Sequence, residues 1–261
     1  MSFQNFRNKS SNAGDYLLRT GPTGNEDTHS VFDNLHLEIA DTETKRQQLF
    51  RLRYQAYLAE GAINPRENCS FSDIYDDLDT SILFVVLDDS GQAVGSLRFS
   101  VEPPISRTPP QLPKSCPELN MYPKIISVLM KDSRPIASGS RFSVMPNYKY
   151  RTSVAMLLML AQTYAAKAIG SKWGIATARG SHLSFYKRLL KMDVIGTAKL
   201  MPELNYSYNL LVVNLDLTYQ GGIKKFPKPL LAWFQKENEN WERRIISSLN
   251  KIEGSKKWLP Q

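Results

Sequence analysis

The feature that most limits the folds open to this chain is a pair of apolar segments joined by a short polar turn. Residues 81–87 (SILFVVL) and 93–101 (AVGSLRFSV) have the apolar and β-branched composition of buried strands. Residues 88–91 between them (DDSG) are typical of a tight turn. The two segments are therefore predicted to form a β-hairpin, so that at least part of the sheet is antiparallel.

Apolar segments with strand or helix spacing flank this hairpin in an order that indicates the fold class. A strand at residues 35–39 and a helix over about 43–60, with Asp41 as its N-cap, precede it. The long helix further on begins at Thr152 or Ser153 as its N-cap. The elements predicted after the hairpin are a helix near 119–131, a strand at 135–144, the long helix to about 169, a strand at 174–179, a short helix from 181 to about 191, a strand at 210–217 and a helix at 229–252. An α/β fold follows, with a mixed central sheet flanked by helices.

Composition changes towards both ends of the chain. Residues 1–33 are rich in Asn, Ser, Gly and Thr, which predicts a flexible, disordered arm. We expect residues 34–222 to form a single domain and residues 223–261 to form a helical C-terminal extension. The loop at residues 103–118 is rich in proline and is predicted to be irregular.

The charge balance indicates the kind of partner that the chain could bind. The net charge is +8, and the basic residues are scattered along the sequence. Nucleic acid, anionic lipid and an acidic protein all fit such a surface, as does a surface that is simply solvated. Because the sequence contains no recognisable helix-turn-helix, zinc-finger or RNA-binding motif, we do not expect a nucleic-acid partner.

Cysteine and histidine usage argues against a metal site and for a reducing compartment. Cys69 and Cys116 lie in no CxxC motif and the three histidines are scattered, so a zinc site is not expected. The first residues lack the apolar core of a secretory signal, and no run reaches the roughly 18–20 apolar residues of a membrane span. We therefore expect a cytoplasmic protein.

Charged residues inside apolar segments are the first candidates for a functional site. Two arginines interrupt predicted strands, Arg98 in GSLRFSV and Arg141 in SGSRFSV. An arginine that faces a core costs several kcal/mol unless it is paired, although a strand also has a solvent face. The first helix adds two more arginines and the following loop adds two possible partners in DIYD: Arg51, Arg53, Asp73 and Asp76.

The motifs RLRYQAY, DIYD, GSLRF and SRFSV follow one another along the chain. In this order they resemble the acyl-homoserine lactone synthases and their relatives, the long-chain N-acyl amino acid synthases, and the resemblance covers about residues 36–200. It implies an acetyltransferase (GNAT) fold and the transfer of a fatty acyl group from a thioester to an amine. Under this resemblance, the charged residues of the catalytic site are Arg53, Asp73, Asp76, Arg98 and Arg141.

The resemblance also indicates the acceptor and the residues around it. RYQAYLAEGAI is closer to the N-acyl amino acid synthases, and Ile63 stands in the region where the lactone branch usually has a tryptophan. An amino-acid acceptor is therefore expected, with its carboxylate bound by an arginine. A lactone synthase that uses S-adenosylmethionine and a non-catalytic acyl-binding protein remain alternatives. The candidate substrate-binding residues are Tyr57, Glu60, Phe142, Val144 and Tyr186.

One position departs from the pattern of the superfamily. An acid proposed as a base commonly lies three residues before the SRF arginine, where this chain has Ser138, which is kept as a candidate catalytic position. Two explanations stay open. Either a water is deprotonated with help from Glu60, Glu67 or Asp76, or the amine arrives already neutral.

The segment before the long helix indicates the acyl donor. Acetyltransferases of this fold usually bind coenzyme A through a glycine-containing loop, and the matching stretch MPNYKYRTSVAM has no glycine. A single phosphate still fits Lys149, Arg151, Thr152 and Ser153 at a helix start. We therefore favour acyl carrier protein over coenzyme A as the partner, with an acyl-phosphopantetheine thioester as co-substrate and no permanently bound cofactor or metal.

Two apolar segments have more than one interpretation. Residues 156–168 (MLLMLAQTYAAKA) fit either an acyl-chain tunnel or an ordinary core helix. The aromatic and basic tail fits peripheral membrane contact, a cover over the sheet, or a cover over the tunnel.

Overall fold

A computed structural model of the chain describes residues 32, 34–104, 116–201, 203–219 and 226–250. Nearly all of the predicted arm at 1–33, most of the proline-rich loop and the last eleven residues of the predicted extension lie outside these ranges. The domain boundary expected at 222/223 also lies outside them.

Seven strands of the described chain form one mixed sheet. The strands are β1 (Leu35–Ile39), β2 (Ser81–Asp88), β3 (Ala93–Glu102), β4 (Ile136–Val144), β5 (Trp173–Ala178), β6 (Asp193–Leu200) and β7 (Ser207–Asn214). Their order in the sheet is β1-β2-β3-β4-β5-β7-β6, and neighbouring strands are antiparallel except β4 and β5, which are parallel. The α/β fold with a mixed central sheet flanked by helices is thus confirmed.

Helices cover both faces of this sheet. In the described parts of the chain, the helices of four residues or more are α1 (Glu43–Ala59), a 3₁₀ helix (Ile74–Asp77), α2 (Pro117–Met121), α3 (Pro123–Leu129), α4 (Arg151–Ala168), α5 (Leu183–Leu189) and α6 (Lys228–Leu249). Alternate residues of β2 point to opposite sides, so that Leu83 and Val85 pack with Leu49 and Leu52 of α1, while Phe84 packs with α4 and α6.

Several boundaries differ from those predicted. The N-cap of α1 is Thr42, whose hydroxyl accepts a hydrogen bond from Lys45 N at 3.4 Å, and not Asp41. The predicted helix at 119–131 is two helices, because Pro123 begins a new helix and has no N–H with which to continue the first. The strand predicted to reach residue 217 ends at Asn214, and its last three residues form a helical turn.

The long helix α4 begins earlier than expected. Its N-cap is Tyr150, which makes no side-chain capping bond, so Thr152 and Ser153 lie in the first turn and are not caps. Most of the Met/Leu-rich segment is buried in the main apolar cluster. The segment is therefore core helix along most of its length.

Helix α6 lies against α4. Phe234 stacks on Tyr164 with ring centroids 4.5 Å apart, and Trp241 meets Phe84 of β2 edge-on at 5.8 Å. Leu230, Ile245 and other apolar residues of α6 are buried in the same cluster. Of the placements open to the tail, the structure shows a cover over α4 and the sheet. Among the described residues, no helix is both long and apolar enough to cross a membrane.

The parallel pair β4–β5 separates partway along its length, and we call this opening the fork. Residues 136–139 of β4 pair with residues 173–176 of β5, and β4 then continues to Val144 beside β3 alone. A β-bulge interrupts the β3–β4 ladder at the same level, where the partners step from Arg98–Ser140 to Ser96–Ser143. Arg141 in the bulge has a φ of 54°, in the left-handed region that is unusual for a non-glycine residue.

Candidate active site

Five charged side chains from four parts of the chain meet between α1 and the sheet. Arg53 comes from α1, Arg98 from β3 and Arg141 from the bulge of β4, while Asp73 and Asp76 belong to the short 3₁₀ turn. Their side chains are at most 6% exposed. We call this group the arginine–aspartate cluster. All five were candidates from the sequence, whereas Arg51, two residues from Arg53, is exposed.

Each aspartate binds two arginines. Arg53 Nη1 lies 2.8 and 2.9 Å from the two carboxylate oxygens of Asp76, and Arg98 Nη1 lies 3.3 Å from Oδ1. Asp73 accepts from Arg98 Nη1 at 2.5 Å and from Arg141 Nε and Nη2 at 2.8 and 2.6 Å. Such charge-assisted bonds offset the desolvation that burial imposes on the ions.

The backbone of the 3₁₀ turn fixes the direction of both carboxylates. Asp73 Oδ1 accepts from Tyr75 N at 2.9 Å, and Asp76 Oδ2 accepts from Asp73 N at 2.9 Å, which together make a capping box. The DIYD motif therefore has a local structural reason for its spacing. Two acids three residues apart cap the turn and also face the arginines.

Burial and charge act in opposite directions on the ionisation of the cluster. Burial raises the pKa of Asp73, but Arg98 and Arg141 outweigh it and hold the pKa below its usual value. Burial lowers the pKa of Arg53, which Asp76 partly opposes. Asp73 is thus held as a carboxylate by hydrogen bonds that leave it little capacity to accept a proton.

The cluster contains donors that no protein group satisfies. Arg53 Nε and Nη2 and Arg98 Nη2 are buried without a hydrogen-bond partner, whereas Arg98 Nε donates to Ser140 Oγ at 3.1 Å. The hydroxyl of Ser138 on β4 is likewise buried and without a partner. Unsatisfied buried guanidinium donors are rare in native proteins and suit an anionic ligand.

An aromatic ring separates the cluster from a cavity. Phe71 lies under the guanidinium groups of Arg141, 5.1 Å from its centroid, and of Arg66, 4.4 Å away, and Tyr57 meets it edge-on at 5.1 Å. Residues 63–66 on one side and Leu200, Met201 and residues 203–205 on the other enclose a cavity of about 510 Å³. Its wall is part apolar and part polar, and Arg66 and Glu203 face each other across it 3.7 Å apart.

Candidates beyond the cluster occupy two further places. Glu60 ends α1, and its carboxylate accepts from Arg179 Nη2 at 2.5 Å. The pKa of the Tyr186 phenol is raised above its usual range, mainly by burial and further by the nearby Tyr57 and Glu60. Phe142 and Val144 instead pack with the apolar cluster on the α4 face.

The residues predicted to bind phosphate are not part of the cluster. Lys149, Arg151, Thr152 and Ser153 surround the start of α4, after the end of β4. The Lys149 ammonium lies 4.6 Å from the ring centroid of Tyr150, and Arg151 Nε is buried without a partner. The structure therefore places the predicted site residues in two groups, one on each side of the sheet.

Sequence reasoning missed several residues of this region. Ser140 lies in SGSRF directly before Arg141, and its alternation with Ser138 was a usable signal. Arg179 follows β5 at its carboxyl end, a position that often carries binding residues in α/β sheets. Phe71 carries no comparable signal. Across the described parts of the chain, no group of three or more His, Cys, Asp or Glu side chains is arranged to hold a metal ion.

Comparisons with known proteins identify the family of this chain and support its fold. The model of the family described as N-acyl amino acid synthase FeeM matches residues 48–214. The structure of FeeM, an N-acyl amino acid synthase from uncultured soil microbes, is 14% identical, covers 71% of this chain and 96% of its own, and superposes with a TM-score of 0.58. A comparison with curated protein sequences finds no significant match.

Two further solved structures superpose with lower TM-scores. BjaI, a CoA-dependent acyl-homoserine lactone synthase solved with MTA, is 20% identical over 71% of this chain and 87% of its own, with a TM-score of 0.49. A putative N-acetyltransferase from Lactobacillus plantarum is 13% identical over 69% of this chain and 98% of its own, with a TM-score of 0.46. The resemblance drawn from the four motifs is confirmed by the family match, which spans more than half of the sequence. The chain is an acyltransferase that belongs to the FeeM family of N-acyl amino acid synthases.

Proposed function

We propose that the protein transfers a long-chain fatty acyl group from a carrier thioester to the amine of an amino acid. The observation that carries the proposal is the buried arginine–aspartate cluster, in which Arg53 and Arg98 have unsatisfied guanidinium donors. Another of its members, Arg141, lies over the ring of Phe71, which also contacts Arg66 in the wall of the cavity. An amino acid has both groups that such a site would recognise. Its carboxylate is an anion for the arginines, and its side chain needs a space such as this part-apolar, part-polar cavity.

The acceptor binds on the α1 side of the sheet. Its carboxylate receives hydrogen bonds from the free donors of Arg53 and Arg98, and its side chain extends past Phe71 into the cavity. Tyr57 and Glu60 border the path between the two. Because Arg141 already binds Asp73 with two nitrogens, its part is to hold that carboxylate in place.

The donor approaches from the α4 side. The start of α4, with Lys149, Arg151, Thr152 and Ser153, binds the single phosphate of a phosphopantetheine arm, which then enters the fork. Acyl carrier protein is favoured over coenzyme A because residues with side chains replace the glycines that a diphosphate needs, and because the net charge is +8.

The reaction forms a C–N bond and breaks a C–S bond. The neutral amine attacks the thioester carbonyl, the thiolate leaves, and the one proton lost by the amine passes through solvent to that thiolate, which leaves as the thiol. Asp73 and Asp76 are occupied by arginines, Glu60 by Arg179, and Glu67 is exposed, so none of these carboxylates is a free buried base. The amine therefore reacts as its free base, with the hydroxyl of Ser138 available to hydrogen-bond it.

The pH dependence of the reaction checks this assignment. We expect kcat/KM for the acceptor to rise about tenfold per pH unit from pH 6 to 8, because each unit multiplies the fraction of neutral amine by ten below the pKa of that amine. Steady-state rates at saturating donor measure it. A plateau that begins near pH 7 would instead reveal a base on the enzyme.

Incubation with acyl carrier protein and coenzyme A thioesters of several chain lengths, each with a panel of amino acids, tests the function directly. Mass spectrometry is expected to show an N-acyl amino acid. Arg98→Ala is expected to abolish the product, and Arg134→Ala, which removes an arginine paired at the surface with Asp216, is the matched control. No product from any donor, or full turnover by the Arg98 variant, would disprove the proposal. Release of methylthioadenosine from S-adenosylmethionine would identify a lactone synthase.

A further inference from the structure

The fork closes at Gly139, the last residue of β4 that pairs with β5. Gly139 is half-buried, unlike its two neighbours along the strand, and Gln162 on α4 is half-buried, unlike its two neighbours along the helix. The base of the fork is therefore accessible from the α4 face.

The carboxamide of Gln162 lies directly over Gly139. A Cβ atom on residue 139 would stand 2.0 Å from Gln162 Oε1, so the absence of a side chain is what admits the amide. The position of the Gln162 carboxamide therefore requires glycine at residue 139.

The hydrogen-bonding capacity of this amide is mostly unused. Gln162 Nε2 donates to Met159 Sδ at 3.1 Å, and a thioether is a weak acceptor. No donor from the part of the chain that the structure describes reaches the amide oxygen. The surroundings are apolar, with Met159 and Ala176 buried in the main cluster. A purely alkyl ligand packed over Gln162 would remove water from this oxygen without supplying a hydrogen-bond donor, which is unfavourable.

We propose that Gln162 is a specificity-determining residue that accepts a hydrogen bond from an O–H or N–H group of the acyl donor at the base of the fork. The inference rests on the proposed function, since it takes the fork as the donor groove. Two parts of a donor have the required chemistry: a hydroxyl group on the acyl chain near the thioester, and an amide N–H of the phosphopantetheine arm.

Binding of non-transferable donors tests the inference separately from turnover. The probes are two acyl-pantetheine thioethers of equal chain length, one saturated and one hydroxylated on the third carbon, with Kd measured by calorimetry. Gln162→Leu keeps the approximate size and removes both polar atoms. Gly139→Ala displaces the carboxamide by a different route. Lys167→Ala, which changes an exposed residue of the same helix, is the control. Thermal unfolding confirms that each variant is folded.

The expected result is a roughly tenfold rise in Kd for Gln162→Leu and Gly139→Ala and no change for Lys167→Ala. A rise confined to the hydroxylated probe identifies the acyl hydroxyl as the donor group, and an equal rise for both probes identifies the arm amide. Equal Kd values for the wild type and Gln162→Leu, or no binding of either probe by the wild type, overturn the inference. Binding that depends on Gln162 in a protein that forms no acylated product would instead count against the proposed function alone.

Discussion

At the residue scale, the arginine–aspartate cluster depends on all its members at once. Removing water from an ion costs several kcal/mol. Here each carboxylate offsets that cost by accepting hydrogen bonds from two guanidinium groups and one backbone N–H. The loss of one member leaves its neighbours buried with fewer partners. A single substitution in the cluster should therefore lower the free energy of unfolding by more than the complete cluster contributes to it.

Asp76→Asn is expected to lower the free energy of unfolding by about 3–5 kcal/mol, because Arg53 and Arg98 would lose the carboxylate that they share. Urea unfolding followed by circular dichroism measures the change. Asp77→Asn is the matched control in the same turn. Its side chain is 75% exposed and pairs with Arg46 at the surface, so a loss of about 1 kcal/mol or less is expected. Equal losses in the two variants would contradict this account of the cluster.

The stability of the protein should depend on pH through His182. Burial, and then the charges of Arg179 and Arg151, lower the pKa of His182 from 6.5 to about 4. Between these values the unfolded chain binds a proton that the folded protein does not. Above pH 6.5 the imidazole of His182 is neutral in both states and does not reduce stability. As the pH falls below 6.5, protonation of the unfolded chain lowers the free energy of unfolding, by up to about 2 kcal/mol between pH 8 and pH 5.

His182→Asn is expected to reduce the difference in unfolding free energy between pH 8 and pH 5 by that amount, because asparagine does not titrate. Urea unfolding of both proteins at the two pH values measures it. His36→Asn is the control, since His36 is exposed and lies beside Asp89 on another part of the surface. An unchanged difference in the His182 variant would show that this imidazole is protonated as easily in the folded protein as in the unfolded chain.

At the scale of elements, prediction succeeded where apolar residues recur with a regular period. Strands β1–β5 and helix α4 lie within a few residues of their predicted bounds for that reason. Strand β6 was missed because it is an edge strand whose residues are exposed on both faces except Gly196, so it has no apolar alternation. In the site, Arg98 and Arg141 were identifiable because they interrupt apolar strands. The contacts of Phe71 depend on the tertiary fold, which no local pattern encodes.

Helix α6 is predicted to be part of the folding unit. Phe234→Ala should lower the free energy of unfolding by about 3–5 kcal/mol, since the ring is buried against Tyr164 and the main cluster. Gln235→Ala, at the next and exposed position, should change it by less than about 0.5 kcal/mol. Chemical unfolding of both variants gives the comparison. A small effect at Phe234 would mean that α6 detaches from α4 at little cost.

At the scale of the whole molecule, the fork joins two different environments. The face under α1 holds the buried charges, and the face under α4 and α6 holds the main apolar cluster, with Gln162 at the base of the fork and basic residues at the start of α4. In the proposed reaction the acceptor and the donor would arrive from opposite faces and meet where β4 and β5 separate. In such an arrangement the acceptor is selected by charge and the acyl chain by apolar contact. Because different residues make these contacts, the two specificities can vary independently.

The net charge of +8 should then act mainly on the encounter with the donor. We expect KM for acyl carrier protein thioesters to rise about tenfold between about 50 and 500 mM salt, because screening weakens long-range attraction between a basic enzyme and an acidic carrier. The same acyl group on pantetheine, which has no acidic carrier, should show a change of less than about twofold. Lys149→Glu should reduce the salt dependence for the carrier-bound donor only, since it removes attraction at the start of α4. Equal salt dependence for the two donors would place the effect of charge elsewhere, at the binding of the acceptor carboxylate.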